Sequence, residues 1–379
     1  MSSCEQQPDN GVFPAGESSP ASCDFQAGES PIDTDAFYRD SIAAGFVKVE
    51  DIARNIEWIT PTTWGDIQVT INLSKPEKDP AAIAAAAQQK APGKLCDLCV
   101  TQDDIDSGYA KNISINGEPW ALWYSPYAYF NEHCIAMSWA HRPMHIDRAA
   151  FTGLCDFVDR FPQYFIGSNA DLPIVGGSIL AHDHYQGGRH VFPLQQAPIE
   201  RSFTMREYPQ VSVGVVKWPL SVLRLQTDDR QALIDAASRI LDAWRAYNND
   251  ALGIVSVTQE DGRAVRHNTI TPMLRKNGEE YTLDLALRCN ITSAERPFGI
   301  FHAHEHLHHI KKENIGLIEV MGRAILPARL TREMEIDDPA VRDEIGQRFA
   351  EVLECCGVFK WDDAGQSALD AFLSAFIAC

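Results

Sequence analysis

The chain has 379 residues, 45% hydrophobic and 22% charged, a composition typical of a globular protein with a large core. The formal charge of −19 argues against non-specific nucleic-acid binding, which needs a basic surface, and the ten scattered cysteines do not resemble a secreted disulfide framework. No long apolar run and no basic leader before an apolar segment occur, so we predict no membrane span, no signal peptide and a cytoplasmic location.

The first third of the chain predicts a polar tail followed by mixed secondary structure. Residues 1–31 are rich in Gly, Pro and Ser and predict a disordered N-terminal tail. Helical periodicity predicts helices over 35–58 and 81–89, whereas alternation predicts a strand over 66–73. The aromatic and apolar segment 120–137 predicts two strands about a Ser125-Pro126 turn.

The rest of the chain alternates predicted strands with solitary helices. Together with the earlier elements this pattern predicts an α+β fold with a large antiparallel sheet flanked by helices. A second segment with a His-x-His pattern near residue 302 indicates an internal duplication, with halves at 32–210 and 211–379. The predicted helices are 149–165, 229–247, 340–356 and 368–378, and the predicted strands are 211–225, 254–259, 281–287 and 297–304.

One stretch, Asp171–Gly188, contains the main candidate catalytic side chains. If its backbone is extended, His182, His184 and Gln186 lie on one face, because strand side chains alternate. Glycine pairs on both sides would let a phosphate approach the backbone closely. The simpler interpretation is a core strand with two buried, hydrogen-bonded histidines.

The residue types at positions 184 and 186 suit phosphoryl transfer. A neutral imidazole of His184 can attack phosphorus and split one transfer into two displacements. The amide of Gln186 can donate to a phosphoryl oxygen, although it cannot serve as a general acid. This pair therefore favours transfer between phosphates, where the leaving group needs no proton, over hydrolysis.

A metal site is predicted from Cys96-x-x-Cys99. Zinc in proteins takes four nitrogen or sulfur ligands, and the nearest downstream candidates are His141 and His182. Such a site would be structural, because four protein ligands leave no open position. The alternative is a pair of buried free thiols.

A histidine-rich segment, 301–309, allows several interpretations. It could form a second metal site with Glu200, His302 and His304, a phosphate cradle, or solvated surface. The adjacent Lys311 and Lys312 are candidate phosphate contacts, or a solvated basic pair.

The stretch Asn169–Gly188 resembles the signature of the class II, bacterial galactose-1-phosphate uridylyltransferases, which belong with the histidine-triad-like transferases. The resemblance covers roughly residues 32–335 and implies a histidine-triad-like fold, with more residues upstream of Ile32 than the short tail present here. Further agreement lies in Thr70–Asp79, Tyr124–Tyr127, Asn131–Cys134, His267–Thr271 and His308–Glu319.

The resemblance implies a ping-pong transfer of uridylyl from UDP-glucose to galactose 1-phosphate, giving glucose 1-phosphate and UDP-galactose. It implies that His184 becomes uridylylated, that Gln186 contacts the phosphate, and that the enzyme is a homodimer. It matches zinc to Cys96, Cys99, His141 and His182, and a possible second metal to Glu200, His302 and His304. The implied substrate-binding residues are Asn131 and Glu132 on the ribose, Asn169 and Ser178 on phosphate, and Lys312 and Glu319.

Two other functions remain open at this point. One is a nucleotide hydrolase or phosphorylase of the same superfamily, against which Gln186 weighs. The other is a zinc-stabilised binding protein without catalysis, against which the intact pair of His184 and Gln186 weighs.

Overall fold

A computed structural model describes residues 31–73, 95–176 and 179–376. The predicted helix over 81–89 lies outside the described residues, and so does the predicted tail apart from Pro31. None of the helices within these ranges is long and apolar enough to cross a lipid bilayer. The α-helices are α1 Thr34–Ala43, α2 Val49–Ile52, α3 Gln102–Asp106, α4 Arg148–Arg160, α5 Pro193–Gln196, α6 Arg230–Ala246, α7 Leu317–Val320, α8 Leu330–Glu333, α9 Pro339–Cys356 and α10 Asp363–Leu373.

Three sheets contain the described strands. A ten-stranded sheet has the order β3-β4-β5-β7-β6-β13-β14-β10-β9-β8, a small sheet has the order β1-β2-β15, and β11 pairs with β12. The strands are β1 Ile56–Thr62, β2 Gly65–Asn72, β3 Ala110–Ile115, β4 Glu118–Tyr124, β5 Cys134–Ser138, β6 Phe165–Gly167, β7 His184–Gly188, β8 Ile199–Thr204, β9 Ser212–Val216, β10 Val222–Thr227, β11 Val257–Glu260, β12 Arg263–Arg266, β13 Asn268–Asn277, β14 Glu280–Cys289 and β15 Arg323–Pro327.

The ten-stranded sheet is built from two sets of five strands with the same connectivity. In each set three strands form a meander, a helix follows, and the last two strands return so that the final strand pairs with the third. The helix is α4 in the first set and α6 in the second, and the sets meet where β6 pairs with β13. This repeat supports the predicted duplication, and the sheet with its flanking helices confirms the α+β prediction.

The counterpart of β7 differs from the one predicted. The predicted strand over 297–304 is wrong, because this segment is irregular and leads into a 3₁₀ helix, Glu305–Leu307. Pro297 removes a ladder donor and Gly299 adopts a φ of +120°, which breaks an extended run. In the topology, β14 occupies the position equivalent to β7. The division into halves at 210 and 211 remains a prediction.

The two faces of the large sheet have different coverings. Helices α4 and α6 pack on one face, where Tyr185 of β7 stacks on Trp120 with ring centroids 4.9 Å apart. Because side chains alternate along a strand, His184 and Gln186 point to the opposite face. A second core, shared with the small sheet and α9, lies against that face. His184 and Gln186 therefore lie on the face of the sheet away from α4 and α6.

The predicted helix over 229–247 is confirmed as α6. The side chain of Asp229 caps it by accepting a hydrogen bond from the Ala232 amide, and its apolar residues Leu233, Ile240 and Trp244 are buried. The helix predicted over 149–165 is also present as α4 but ends earlier. Pro162 disfavours helical backbone at the preceding residue, and the chain then enters β6.

The long helix predicted over 35–58 is wrong. Gly45 adopts a left-handed φ of +67° and ends α1, and the chain continues as α2 and then as β1. Each residue of β1 pairs with β2, from Ile56 opposite Ile71 to Thr62 opposite Gly65. Local helical periodicity could not show this pairing, whereas the strand predicted over 66–73 is confirmed as β2.

Other strand predictions were partly right. The two strands predicted within 120–137 are confirmed as β4 and β5. The single strand predicted over 211–225 is a hairpin, β9 and β10, interrupted at Trp218-Pro219. Among the described residues of the stretch Asp171–Gly188, only those of β7 form a strand, because Pro173 and the left-handed Ile174 (φ +71°) interrupt the backbone upstream. His182 therefore lies outside the strand.

A buried ion-pair cluster in the second set of strands predicts a large stability effect. The carboxylate of Asp284 in β14 accepts from Arg224 at 2.6 and 3.1 Å and from Arg275 at 2.9 Å. Removing one partner of a buried pair leaves an uncompensated charge. We expect Asp284→Asn to lower the free energy of unfolding by about 3–5 kcal/mol, measured by denaturant unfolding.

A matched control is Asp337→Asn, which removes an exposed carboxylate 3.9 Å from Arg342. Exposed pairs contribute about 0–1 kcal/mol, so this variant should unfold almost as the wild type does. Equal stability of the two variants would contradict the conclusion that the buried carboxylate of Asp284 stabilises the fold by pairing with Arg224 and Arg275.

Candidate active site

A cavity of about 1080 Å³ lies against the sheet face that carries His184 and Gln186. This volume suits a ligand of nucleotide size. Part of the wall is aromatic and aliphatic, and residues of the segment 313–319, before and within α7, also line the cavity. The apolar side chains include Phe46, Trp123, Tyr127 and Ile135.

His184 has one ring nitrogen occupied and the other available. Its Nδ1 lies 2.7 Å from the backbone oxygen of His182. A carbonyl oxygen can only accept, so Nδ1 carries the proton and donates, and Nε2 keeps its lone pair. Burial lowers the pKa of His184 to about 4, so the ring is neutral near pH 7. These properties are those of a nitrogen nucleophile.

Gln186 lies two residues further along β7 on the same face and lines the same cavity. Its Oε1 lies 3.1 Å from Nε2 of the buried His133. With the oxygen engaged in this way, the amide nitrogen is the group left to face a ligand. The predicted pair of His184 and Gln186 is thus brought together at one wall of the cavity.

Gly187 and Gly188, which follow Gln186, lie in close contact with neighbouring backbone. A Cβ on Gly187 would lie 2.6 Å from the Phe165 carbonyl oxygen, and one on Gly188 would lie 2.6 Å from that of Glu132. Gly188 also has a φ of +150°. Both positions require glycine because neighbouring backbone approaches so closely.

The four predicted metal ligands form one cluster. The ligand atoms of Cys96, Cys99, His141 and His182 all lie within 4.8 Å of one another. The two Sγ atoms are 3.8 Å apart, and their distances to the Nδ1 atoms of His141 and His182 range from 3.1 to 3.8 Å. The cluster could hold a metal ion.

The donor set and its spacing are compatible with zinc. Zn–S bonds of about 2.3 Å in a tetrahedron place two sulfurs about 3.8 Å apart. Nε2 of His182 lies 2.7 Å from the Ser138 carbonyl oxygen and donates to it, which leaves Nδ1 as the metal-facing lone pair. Burial raises the pKa of the Cys96 thiol, and a bound cation would favour its thiolate form.

Comparison with known proteins identifies the family. Family models match residues 24–143 (galactose-1-phosphate uridyl transferase, N-terminal domain) and 157–345 (C-terminal domain of the same family). The galactose-1-phosphate uridylyltransferase of Lactiplantibacillus plantarum is 46% identical, over 90% of this chain and 78% of that protein. The enzyme of the same name from Caldanaerobacter subterraneus is 42% identical, over 90% and 76%. The chain belongs to the galactose-1-phosphate uridylyltransferase family.

A solved structure supports the fold assignment. Yeast Ap4A phosphorylase Apa2 in complex with AMP aligns with a TM-score of 0.50 over 86% of this chain and 94% of that chain. The sequences are 14% identical, so the likeness concerns the fold alone. Together with the duplicated sheet, it confirms the predicted histidine-triad-like fold.

Two of the substrate-binding residues predicted from the uridylyltransferase resemblance, Asn169 and Glu319, line the cavity. Asn169 Oδ1 accepts from the Leu317 amide at 2.8 Å. Glu319 accepts from Lys311 Nζ at 2.9 Å and from the Gly316 amide at 3.0 Å. These bonds hold the start of α7 at the cavity that His184 also lines.

Asn131 and Glu132, the predicted ribose-binding pair, interact with each other and with neighbouring residues. The carboxylate of Glu132 is buried, accepts from Tyr164 at 2.5 Å and pairs with Arg189 at 3.2 Å, while Asn131 donates to it at 3.2 Å. Neither residue is among those lining the cavity. Their role in substrate binding remains a prediction.

The remaining predicted contacts separate into three cases. Lys311 lines the cavity, whereas Lys312 places its Nζ 5.1 Å from the centre of the Phe298 ring. Ser178 lies outside the described residues. The role of Lys312 as a phosphate contact therefore remains a prediction without support from its position.

The three residues predicted for a second metal site do not come together. Within residues 31–73, 95–176 and 179–376, the cluster at Cys96 is the one group of three or more metal-binding side chains close enough to share an ion. Glu200 lies on β8 with its carboxylate 3.6 Å from Lys217, and the Nδ1 of His302 lies 3.3 Å from the Ala303 oxygen. His304 follows on irregular backbone, since the strand expected to align it with His302 is not formed.

His133 and Tyr129 line the site but were not predicted as functional residues. Both lie in or beside the segment Asn131–Cys134, which the family resemblance had already singled out. The available signal was a histidine directly after the predicted ribose-binding pair. Its side-chain contact with Gln186 depends on the β5–β7 pairing and cannot be inferred from local sequence.

Proposed function

We propose that the protein transfers a uridylyl group from UDP-glucose to galactose 1-phosphate through a uridylyl-histidine at His184. The observation that carries this proposal is the buried imidazole with Nδ1 bound to the His182 carbonyl and Nε2 available at the cavity. Family membership supports the substrates, because the relatives named above are galactose-1-phosphate uridylyltransferases.

In the first half-reaction the Nε2 lone pair attacks the α-phosphorus of UDP-glucose. An N–P bond forms as the bond from phosphorus to the bridging oxygen breaks, and that electron pair leaves with glucose 1-phosphate. The His184 ring gains positive charge, which the hydrogen bond from Nδ1–H to the His182 oxygen stabilises. The leaving phosphate is a weak base, so no general acid is required.

In the second half-reaction a phosphate oxygen of galactose 1-phosphate attacks the same phosphorus. The N–P bond breaks, its electron pair returns to Nε2, and UDP-galactose forms. The two steps can use one site because the leaving group of the first step and the acceptor of the second are both hexose 1-phosphates.

Gln186 would stabilise charge that grows on the transferred phosphoryl oxygens. We expect Gln186→Ala to lower kcat by about 10²–10³-fold with a smaller change in KM, as for loss of one preorganised donor. Steady-state rates of UDP-galactose formation measure this effect. A variant whose kcat stays within twofold of wild type would contradict a role for the amide in the transition state.

We also propose that zinc occupies the cluster of Cys96, Cys99, His141 and His182. When bound, zinc would cross-link the four side chains and offer no open position for substrate. His182 precedes His184 by two residues and its carbonyl oxygen accepts from the nucleophile, so the cluster would hold the acceptor that orients His184.

We also propose that the protein is a homodimer located in the cytoplasm. Support for the compartment comes from seven free thiols in the described part of the chain, among them the cluster thiols. Light scattering tests the assembly, since a solution mass near one chain of 42.1 kDa would contradict a dimer.

Covalent labelling tests the function directly. Protein incubated with UDP-glucose labelled in the uridylyl phosphate, without acceptor, should gain acid-labile, base-stable label and release glucose 1-phosphate in equal amount. Addition of galactose 1-phosphate should then move the label into UDP-galactose. Absence of any labelled protein under conditions of active turnover would overturn the covalent mechanism.

A further inference from the structure

We propose that His133 is a positioning residue that holds the carboxamide of Gln186 with its nitrogen toward the transferred phosphate. The proposal rests on the function proposed above and concerns a residue that no earlier step uses. His133 is 2% exposed and lies immediately before β5, the strand that pairs with β7. Its Nε2 is 3.1 Å from Gln186 Oε1.

The tautomer of His133 decides which way the carboxamide faces. The backbone amide of Tyr129 points at Nδ1 from 3.5 Å, and an amide can only donate. Nδ1 therefore presents a lone pair, and Nε2 carries the proton that is donated to Gln186 Oε1. A reversed carboxamide would place two N–H donors against another N–H, which removes the bond and creates repulsion.

The His133 ring is held in place by its surroundings. It stacks on Tyr129 with centroids 5.6 Å apart and packs against Phe130 at 4.4 Å. Its backbone is tied on both sides, because the His133 carbonyl accepts from Ser125 at 2.7 Å and its amide donates to the Phe130 carbonyl at 3.3 Å. A fixed ring gives a fixed donor direction, so one carboxamide orientation is selected.

The orientation matters because the oxygen and the NH2 group of a carboxamide have nearly the same size but opposite hydrogen-bonding roles. The amide nitrogen stabilises negative charge on a phosphoryl oxygen, whereas the carbonyl oxygen would repel it. Gln186 sits beside the nucleophile on the same strand face, so the correct orientation is needed most when charge develops. His133 would thus act through Gln186 and affect the chemical step more than substrate binding.

The test is a double-mutant cycle on the rate of protein labelling by UDP-glucose, measured in single turnovers without acceptor. His133→Phe keeps an aromatic ring but removes the donor, and we expect a roughly tenfold slower labelling rate with little change in the half-saturating UDP-glucose concentration. His133→Gln can still donate toward Gln186 and should recover part of the rate. In a Gln186→Ala background, His133→Phe should have no further effect.

His190→Phe is the matched control. His190 also packs on Phe130, at 5.5 Å, but its Nε2 contacts Gln68 Oε1 at 2.7 Å. Equal slowing by this control, or a full additional loss in the Gln186→Ala background, would assign His133 a packing role and overturn the proposal. A wild-type rate in His133→Phe would also overturn it, while absence of labelling in the wild type would instead overturn the function on which it rests.

Discussion

Replacing His184 with glycine is expected to lower turnover by on the order of 10⁵-fold, because loss of a nucleophile removes the covalent route itself. The sharpest measurement is isotope exchange between UDP-glucose and labelled glucose 1-phosphate without galactose 1-phosphate. The wild type should catalyse this exchange, since the first half-reaction is complete and reversible without the acceptor. His184→Gly should not.

The matched control for this prediction is His306→Gly. His306 is exposed in a 3₁₀ helix and contacts Glu351 at 2.7 Å, away from the residues that line the cavity. This variant should retain exchange. A His184→Gly protein that is folded and exchanges at more than a hundredth of the wild-type rate would exclude His184 as the nucleophile. Turnover without exchange in the wild type would indicate direct transfer between the two bound substrates.

The second large effect is expected at the metal cluster. Cys96→Ser removes one of four donors, and we expect the purified protein to lose most of its zinc and more than about 4 kcal/mol of stability, because a structural ion stabilises only the folded state. Elemental analysis gives the zinc content and thermal unfolding gives the stability. Activity should fall as well, since the carbonyl that orients His184 belongs to the ligand His182.

Cys155→Ser controls for the general cost of replacing a buried thiol. Cys155 lies in α4, is 1% exposed and contributes no atom to the cluster. It should retain zinc as the wild type does. Full zinc content in Cys96→Ser would contradict the assigned ligand set, and equal destabilisation of both variants would show that the ion contributes little to folding.

Several features of this protein were readable from sequence because they depend on residue type and short spacing. The pair His184 and Gln186 was predicted on one strand face, and β7 places both on the cavity. The four cluster ligands were predicted because zinc accepts few donor types, and the chain offered a Cys-x-x-Cys and a limited choice of histidines. Helix α6 followed from its periodic apolar residues, and the structure adds the cap by Asp229.

Features that depend on strand pairing were decided only by the tertiary structure. Residues 56–58 belong to the predicted helix over 35–58 but are extended in β1, because β2 supplies their hydrogen-bond partners. The counterpart of β7 is β14, although the His-x-His pattern pointed to residues 302–304, since topology depends on backbone pairing and not on similar side chains.

The site itself shows the same division. Sequence alone determined which groups could do the chemistry: an imidazole nucleophile, an amide donor and a set of zinc ligands. The structure decided which atoms are available, because Nε2 of His184 is free only through the bond from Nδ1 to the His182 carbonyl. It also brought His133 to Gln186 across 53 positions of chain and left Glu200, His302 and His304 apart. Such contacts arise from long-range packing, which local pattern does not encode.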